Sequence, residues 1–314
     1  MVDIFAITFP IFALVVLGYL CVYLKVFRTA DMRVLGQYVL NIALPALLFN
    51  AVATRRMTEI ILPSYVVVFA LGGLATMLLA YGISMLHGTG PARRAIATMG
   101  SACPNSAYIG FPMMMLLFSD SAGLILAMNL VVENFLLVPL SFALLELSRP
   151  RKGMSLWSSA RHTLVGVLRR PLVIGLLSGV AVSVMGLPIP EALSRMLEMT
   201  AASTSAIALF VIGGTLAGLP IVGNRLLAGQ IVFGKLILHP AMVALFLLAL
   251  PLLGLPPLKP DLAVAVILSA AVPMIGVYTI IAQDYGHEGL ASLALLGTTV
   301  GSFVTLNLLL VLLT

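Results

Sequence analysis

The chain has 314 residues, of which 61% are hydrophobic and 9% charged, far below the roughly 25% charged content of soluble domains. A soluble protein of any core size keeps a charged surface, so this balance excludes one and points to a polytopic membrane protein. The formal net charge of +6 does not indicate nucleic acid, because the basic residues sit between apolar runs and not on one aromatic-interleaved face.

Runs long enough to cross about 30 Å of hydrocarbon fall near 5–24, 34–54, 61–86, 95–118, 121–146, 171–187, 196–219, 226–250, 262–283 and 290–313. They predict an all-α protein of ten transmembrane helices. The first is expected to remain uncleaved, because Met1 to Ile4 carries Asp3 and no basic residue, and no small-residue cleavage site follows. Cys21 and Cys103 both fall within apolar runs and read as small buried side chains. No metal site or organic cofactor is expected.

The second run carries Asn41 four residues before Pro45, placed to bond carbonyls released by a proline kink. The fourth, from Met99 to Met113, holds Pro104, Asn105, Gly110 and Pro112 in an otherwise membrane-like stretch. Each proline lacks an N–H and clashes with the carbonyl four residues back, so the helix should break and leave backbone groups open at membrane depth. Such backbone is tolerated where it lines a cavity or is buried in protein, and paired interruptions in two halves mark transporter binding sites. The ninth run supplies the second interruption, Ala270 to Thr279 around Pro273.

Loops after odd-numbered helices hold Lys25, Arg28, Arg33, Arg93, Arg94, Arg149, Arg151, Lys152, Arg161, Arg169, Arg170 and Arg225. Even-numbered loops hold Arg55, Arg56, Arg195 and Lys259. The positive-inside rule therefore places the odd loops in the cytoplasm and both termini outside, which fits a plasma membrane, the inner one in a bacterium. The basic 149–170 linker, in a cytoplasmic loop spanning 147–170, is either an amphipathic helix on the inner leaflet, with Leu156, Trp157, Leu164 and Val165 in the interface, or a plain topology-fixing connection. It divides the chain into five-helix halves, 1–148 and 171–314, which an odd helix number makes inverted. Pro10 and Pro171 open the two halves, and Pro104 and Pro273 interrupt their fourth helices.

Several motifs together resemble the auxin efflux carrier family, which includes bacterial malate and malonate permeases and, more distantly, plant PIN-type carriers. They are Val39 to Phe49, Pro104-Asn105 with Gly110-Phe111-Pro112, Ala208 to Gly214, Lys235 to Pro240, and Ala282 to Gly286. The resemblance implies a scaffold of helices 1, 2, 6 and 7, and a transport domain of helices 3–5 and 8–10 in which broken helices 4 and 9 cross. It also implies dimerisation through the scaffold and an elevator-type movement. In PIN-type relatives the Asn after the fourth-helix proline contacts the substrate carboxylate, which carries over to Asn105. The matching place in the ninth helix is Met274, which is apolar.

Helices restarting after Pro104 and Pro273 aim positive dipole ends at the junction, which suits a carboxylate. Asn105 and Ser106 could add donors, and Tyr108 and Tyr278 could cap a small acid. Equally, Asn105 could satisfy backbone freed by Pro104, and the tyrosines could simply pack. Glu133, where a charge costs roughly 2.5–3.5 kcal/mol, is either a proton-coupling carboxylate or a neutral structural group. Lys235 could pair with Glu133, attract the anion or snorkel. His239 could join a proton path or be a core histidine, and Gln283 could gate or be solvated.

The sequence has no P-loop, GxSxG or HExxH, and an intramembrane enzyme would need more acids and histidines than the helices hold. The reading is a secondary transporter for a small organic anion, coupled to H⁺ or Na⁺. Malate, malonate, other short carboxylates and auxin-like acids all fit. An anion channel or membrane sensor using the same junction is the alternative.

Overall fold

The computed structural model describes residues 4–53, 55, 62–148, 165–166, 168–219 and 224–313, and among them every regular element is helical. In chain order these are α1 (Ile4–Tyr23), α2 (Thr29–Ala53), α3 (Pro63–Leu86), α4 (Pro91–Ala102) and α5 (Ser106–Leu117). Then come α6 (Ala122–Leu147), α7 (Pro171–Met185), α8 (Glu191–Leu216) and α9 (Arg225–Leu248). The last are α10 (Pro260–Ala271), α11 (Tyr278–Asp284) and α12 (Glu288–Leu313). The predicted fourth helix is thus α4 plus α5, and the ninth is α10 plus α11. Most of the 149–170 linker, with Trp157 and Arg161, lies outside the described residues.

Six helices, α2, α3, α6, α8, α9 and α12, are long and apolar enough to cross a membrane. Residues 8–23 of α1, with α5, α7 and α10, are shorter apolar helices. α2 starts ahead of its apolar run because the Asp31 carboxylate accepts the Arg28 N–H at 2.8 Å, capping a polar first turn that hydropathy does not register. α9 likewise starts on Asn224, whose Oδ1 accepts the Leu227 N–H at 3.1 Å.

Four wide π-turns recur, at Val39–Ala43, Ser106–Gly110, Glu133–Leu137 and Gly234–Leu238. Each ends two residues before a proline: Pro45, Pro112, Pro139 and Pro240. The residue preceding three of these prolines shows how the ladder is closed. Leu44 N–H bonds the Val39 carbonyl, Val138 the Glu133 carbonyl and His239 the Gly234 carbonyl, each five residues back. Widening by one residue carries the chain past the carbonyl that the proline ring would strike. The opening expected before Pro45 is therefore closed by backbone, and Asn41 lies exposed on the turn. At Pro112 the same device replaces the second break predicted in the fourth helix, with Gly110 as the last residue of the turn.

The residues group into two compact units. The first is Met1–Leu62, Ala107–Met128 and Gly166–Gly218; the second is Pro63–Ser106, Asn129–Val165 and Leu219–Thr314. In the first, α1 packs on α8 and α7 on α2. A Cβ on Gly213 would lie 1.8 Å from the Val15 carbonyl oxygen, and one on Gly175 2.5 Å from that of Pro45. Only glycine permits such backbone approach, the usual basis of helix association in lipid. Ser183 Oγ donates to the Arg55 carbonyl at 2.5 Å, and the Arg55 guanidinium donates to the Asp120 carbonyl. These join a cavity of about 370 Å³ that Asn50 and Glu198 also line. In the second unit, α3 packs on α4 and α9, Ser64 Oγ donates to the Pro256 carbonyl at 2.7 Å, and His87 Nδ1 lies 3.0 Å from Gln230 Oε1.

Candidate functional site

The interruptions at Pro104 and Pro273 meet inside the second unit. α4 ends at Ala102, Cys103 turns extended (φ −95°, ψ 103°), and the 103–105 backbone runs antiparallel to 273–275. Asn105 N–H donates to the Pro273 carbonyl at 2.8 Å, and Ile275 N–H to the Cys103 carbonyl at 3.0 Å. Each interrupted chain thus satisfies backbone groups that the other's broken helix leaves open, as burial in an apolar medium requires. One expectation changes as a result. The N–H groups of Asn105 and Ile275 are spent on this pairing, and that of Tyr278 bonds the Ile275 carbonyl at 3.1 Å. Those three N–H groups are therefore not open donors for an anion.

Asn105, Ser106 and Met274 are all buried at this junction. Ser106 Oγ donates to Glu133 Oε1 at 2.5 Å, joining the first residues of two π-turns. Lys235, also on a π-turn, is fully buried and does not snorkel. Its Nζ donates to the Ala270 carbonyl, the last residue but one of α10, and lies 3.0 Å from His239 Nδ1. No direct salt bridge joins Glu133 and Lys235 among the described residues. His239 stacks obliquely on Phe69 with ring centroids 6.0 Å apart.

Beside these groups lies a closed ring of hydrogen bonds. Tyr65 Oη donates to Asn129 Oδ1 at 3.0 Å, Asn129 Nδ2 donates to Ser269 Oγ at 2.9 Å, and the Ser269 hydroxyl completes the ring to Tyr65 at 3.2 Å. It ties α3, α6 and α10 together with every polar atom used in one direction, an arrangement in which bonds reinforce one another. Asn129 lies one turn before Glu133 on α6, and Ser269 directly precedes Ala270, so the ring fixes the element that carries Glu133 and the carbonyl that Lys235 bonds.

Other expected residues go elsewhere. Tyr278 is fully buried with its hydroxyl donating to the Ile96 carbonyl at 3.1 Å, so it locks α11 to α4. The Tyr108 hydroxyl donates to the Gly36 carbonyl at 3.0 Å within the first unit. Gln283 is exposed at the end of α11. Tyr65, Ser269 and Ser141, whose Oγ lies 3.5 Å from Cys103 Sγ, were not singled out by sequence pattern, because each is one polar residue in a separate apolar run.

The profile of a family described as "Membrane transport protein" matches residues 3–310. The chain belongs to this family, the auxin efflux carriers. The chain is also 28% identical over 319 residues to a Rhizobium meliloti (strain 1021) protein named "Putative malonate transporter", an alignment covering 98% of this chain and 95% of the relative. It is 28% identical over 216 residues to the uncharacterized transporter YfdV of Escherichia coli (strain K12), covering 66% of this chain and 67% of that protein. Family and relatives are transporters, and the protein is a multi-pass membrane transporter.

Proposed function

We propose that the protein is a secondary active transporter of a small organic anion, and that the carboxylate is held where 103–106 meets 273–275. The observation that carries this reading is the mutual backbone pairing of two interrupted helices, with Asn105, Ser106, Glu133 and Lys235 gathered around it. In such a site, α5 directs its N-terminal end at the substrate, Asn105 and Ser106 supply donors, and Lys235 supplies the counter-charge. The name of the Rhizobium relative favours a short dicarboxylate such as malonate. The driving ion is H⁺, carried by Glu133, which is buried and hydrogen-bonded to the junction; Na⁺ is the second choice.

Reciprocal packing supports the inverted ten-helix repeat: the first helix of each half packs on the second helix of the other, α1 on α8 and α7 on α2. We assign these four helices to the scaffold, which forms the homodimer, and helices 3–5 and 8–10, in which helices 4 and 9 cross, to the elevator-like transport domain; residues 107–128 of helices 4 and 5 group with the first unit. Loops also group as the orientation requires. The loops after helices 2 and 4 contribute Arg55 and Asp120 to one cavity, which Glu198 of helix 7 also lines, and His87 joins Gln230 at the ends of helices 3 and 8 assigned to the cytoplasm. Proteoliposomes test the function. Wild type should take up one labelled mono- or dicarboxylate saturably under a pH gradient, and Asn105→Ala should lose at least 10-fold in kcat/KM, about 1.4 kcal/mol. Conductance without saturation would instead indicate a channel.

A further inference from the structure

The buried residues of charged type among the described residues are Glu133, Lys235 and His239, and all three lie in the second unit. Their hydrogen bonds constrain their charges. Lys235 Nζ lies between two lone-pair acceptors, the Ala270 carbonyl and His239 Nδ1, which suits an ammonium and makes His239 the neutral Nε2–H tautomer. The Ala270 carbonyl receives a second Lys235 donor, a contact that holds the cation in place. The remaining titratable groups facing Glu133 or Lys235 are the Tyr65 phenol and the Cys103 thiol, with the Tyr278 phenol facing Cys103. All three are neutral near pH 7 in their ordinary ionisation. The interior therefore holds one fixed cation and one carboxyl group able to carry a proton.

Resting on the functional reading above, we infer that the transported species is a monoanion accompanied by one proton, and that transport generates no net current. The charges balance in both directions. Loaded, the site holds R–COO⁻, Lys235 ammonium and Glu133 as COOH, for zero net charge. Empty, it holds Lys235 ammonium and Glu133 as COO⁻, again zero. One carboxylate and one proton enter from one face and leave at the other, and neither form carries a net charge across the apolar layer, where an uncompensated charge is costly.

Ser106 links the two events. Its hydroxyl donates to ionised Glu133 at 2.5 Å. Once Glu133 holds a proton, the carboxyl O–H can donate to Ser106 Oγ, and the serine's own hydrogen turns to the substrate beside Asn105. A fully ionised dicarboxylate would leave the loaded site at −1. Dicarboxylic acids are therefore carried in their singly ionised form.

The test uses wild-type protein in liposomes, with labelled malonate as the probe and protein-free liposomes as the blank. With the membrane potential clamped at zero by valinomycin and equal potassium, one pH unit should concentrate the singly ionised acid about tenfold on the alkaline side, because one proton accompanies each anion. A potential of about 59 mV, which alone redistributes a lone monovalent anion tenfold, should give no accumulation without a pH gradient. In Glu133→Gln the empty site is left at +1 and the loaded site at zero. That variant should lose accumulation driven by pH and gain accumulation driven by an inside-positive potential. Wild-type uptake that follows potential, or substrate-evoked current on a supported membrane, overturns the charge inference while leaving the transporter reading in place. Absence of saturable uptake of any acid overturns both, and the wild-type measurement decides whether or not the variant folds.

Discussion

At the residue scale, the hydrogen-bond partners found around the junction separate structural from transport roles. Tyr278 spends its hydroxyl on the Ile96 carbonyl, and a Cβ on Gly100 would lie 2.8 Å from that same hydroxyl oxygen. Tyr278→Phe should cost about 0.5–1.5 kcal/mol of stability through one lost hydrogen bond and leave KM unchanged. Gly100→Ala should cost about 1–3 kcal/mol by overpacking. Thermal melts and uptake kinetics check both, and a raised KM in Tyr278→Phe would return that residue to the substrate. Lys235→Ala has a larger expected effect, because it removes the donor to Ala270 and leaves Glu133 without its counter-charge. Breaking one side of a buried charged set costs about 3–5 kcal/mol, so reduced membrane yield is expected, restored in part by the double substitution with Glu133→Gln.

At the element scale, the recurrent device is a π-turn ending two residues before a proline, and three of the four turns carry Ser106, Glu133 or Lys235. A π-turn is equivalent to inserting one residue into an α-helix, which turns that residue's neighbours toward partners they would otherwise miss. Deleting Ile237, 46% exposed, together with Pro240→Ala should give a continuous α-helical α9. Its melting temperature should be preserved or raised while Lys235 loses its bond to Ala270, and uptake should vanish. Retained uptake in a protein shown to be folded would contradict a functional role for the turn. Much of this scale was legible beforehand. Pro104 and Pro273, each inside an apolar run, marked both interruptions, because a missing N–H has the same consequence in any helix. The π-turns were not legible, since a five-residue widening leaves no periodic trace and only the proline after it hints at the cause. The Tyr65–Asn129–Ser269 ring was hidden for another reason: its members lie 64 and 140 residues apart, and no local pattern joins them.

At the scale of the whole molecule, each unit closes its helices by a different means. The first relies on glycines against backbone, as where Gly213 meets Val15, and the second adds buried polar groups to its packing. Gly213→Val should therefore abolish stable assembly of α1 on α8, seen as loss of the monodisperse protein in detergent, while Gly229→Ala, with open space around its Cβ position, should be silent. Orientation is testable separately. A C-terminal alkaline phosphatase fusion should be active outside the cytoplasm and a fluorescent-protein fusion dark, because the basic loops follow odd-numbered helices; the opposite pattern would reverse the topology.

The central claim is that the paired interruptions hold the transported carboxylate. Equilibrium binding of radiolabelled malonate and other short acids to purified protein tests it most directly, comparing wild type, Asn105→Ala and Tyr278→Phe. The account predicts saturable binding of at least one acid, weakened about tenfold or more in Asn105→Ala and unchanged in Tyr278→Phe. Equal binding by wild type and a folded Asn105→Ala protein would contradict it.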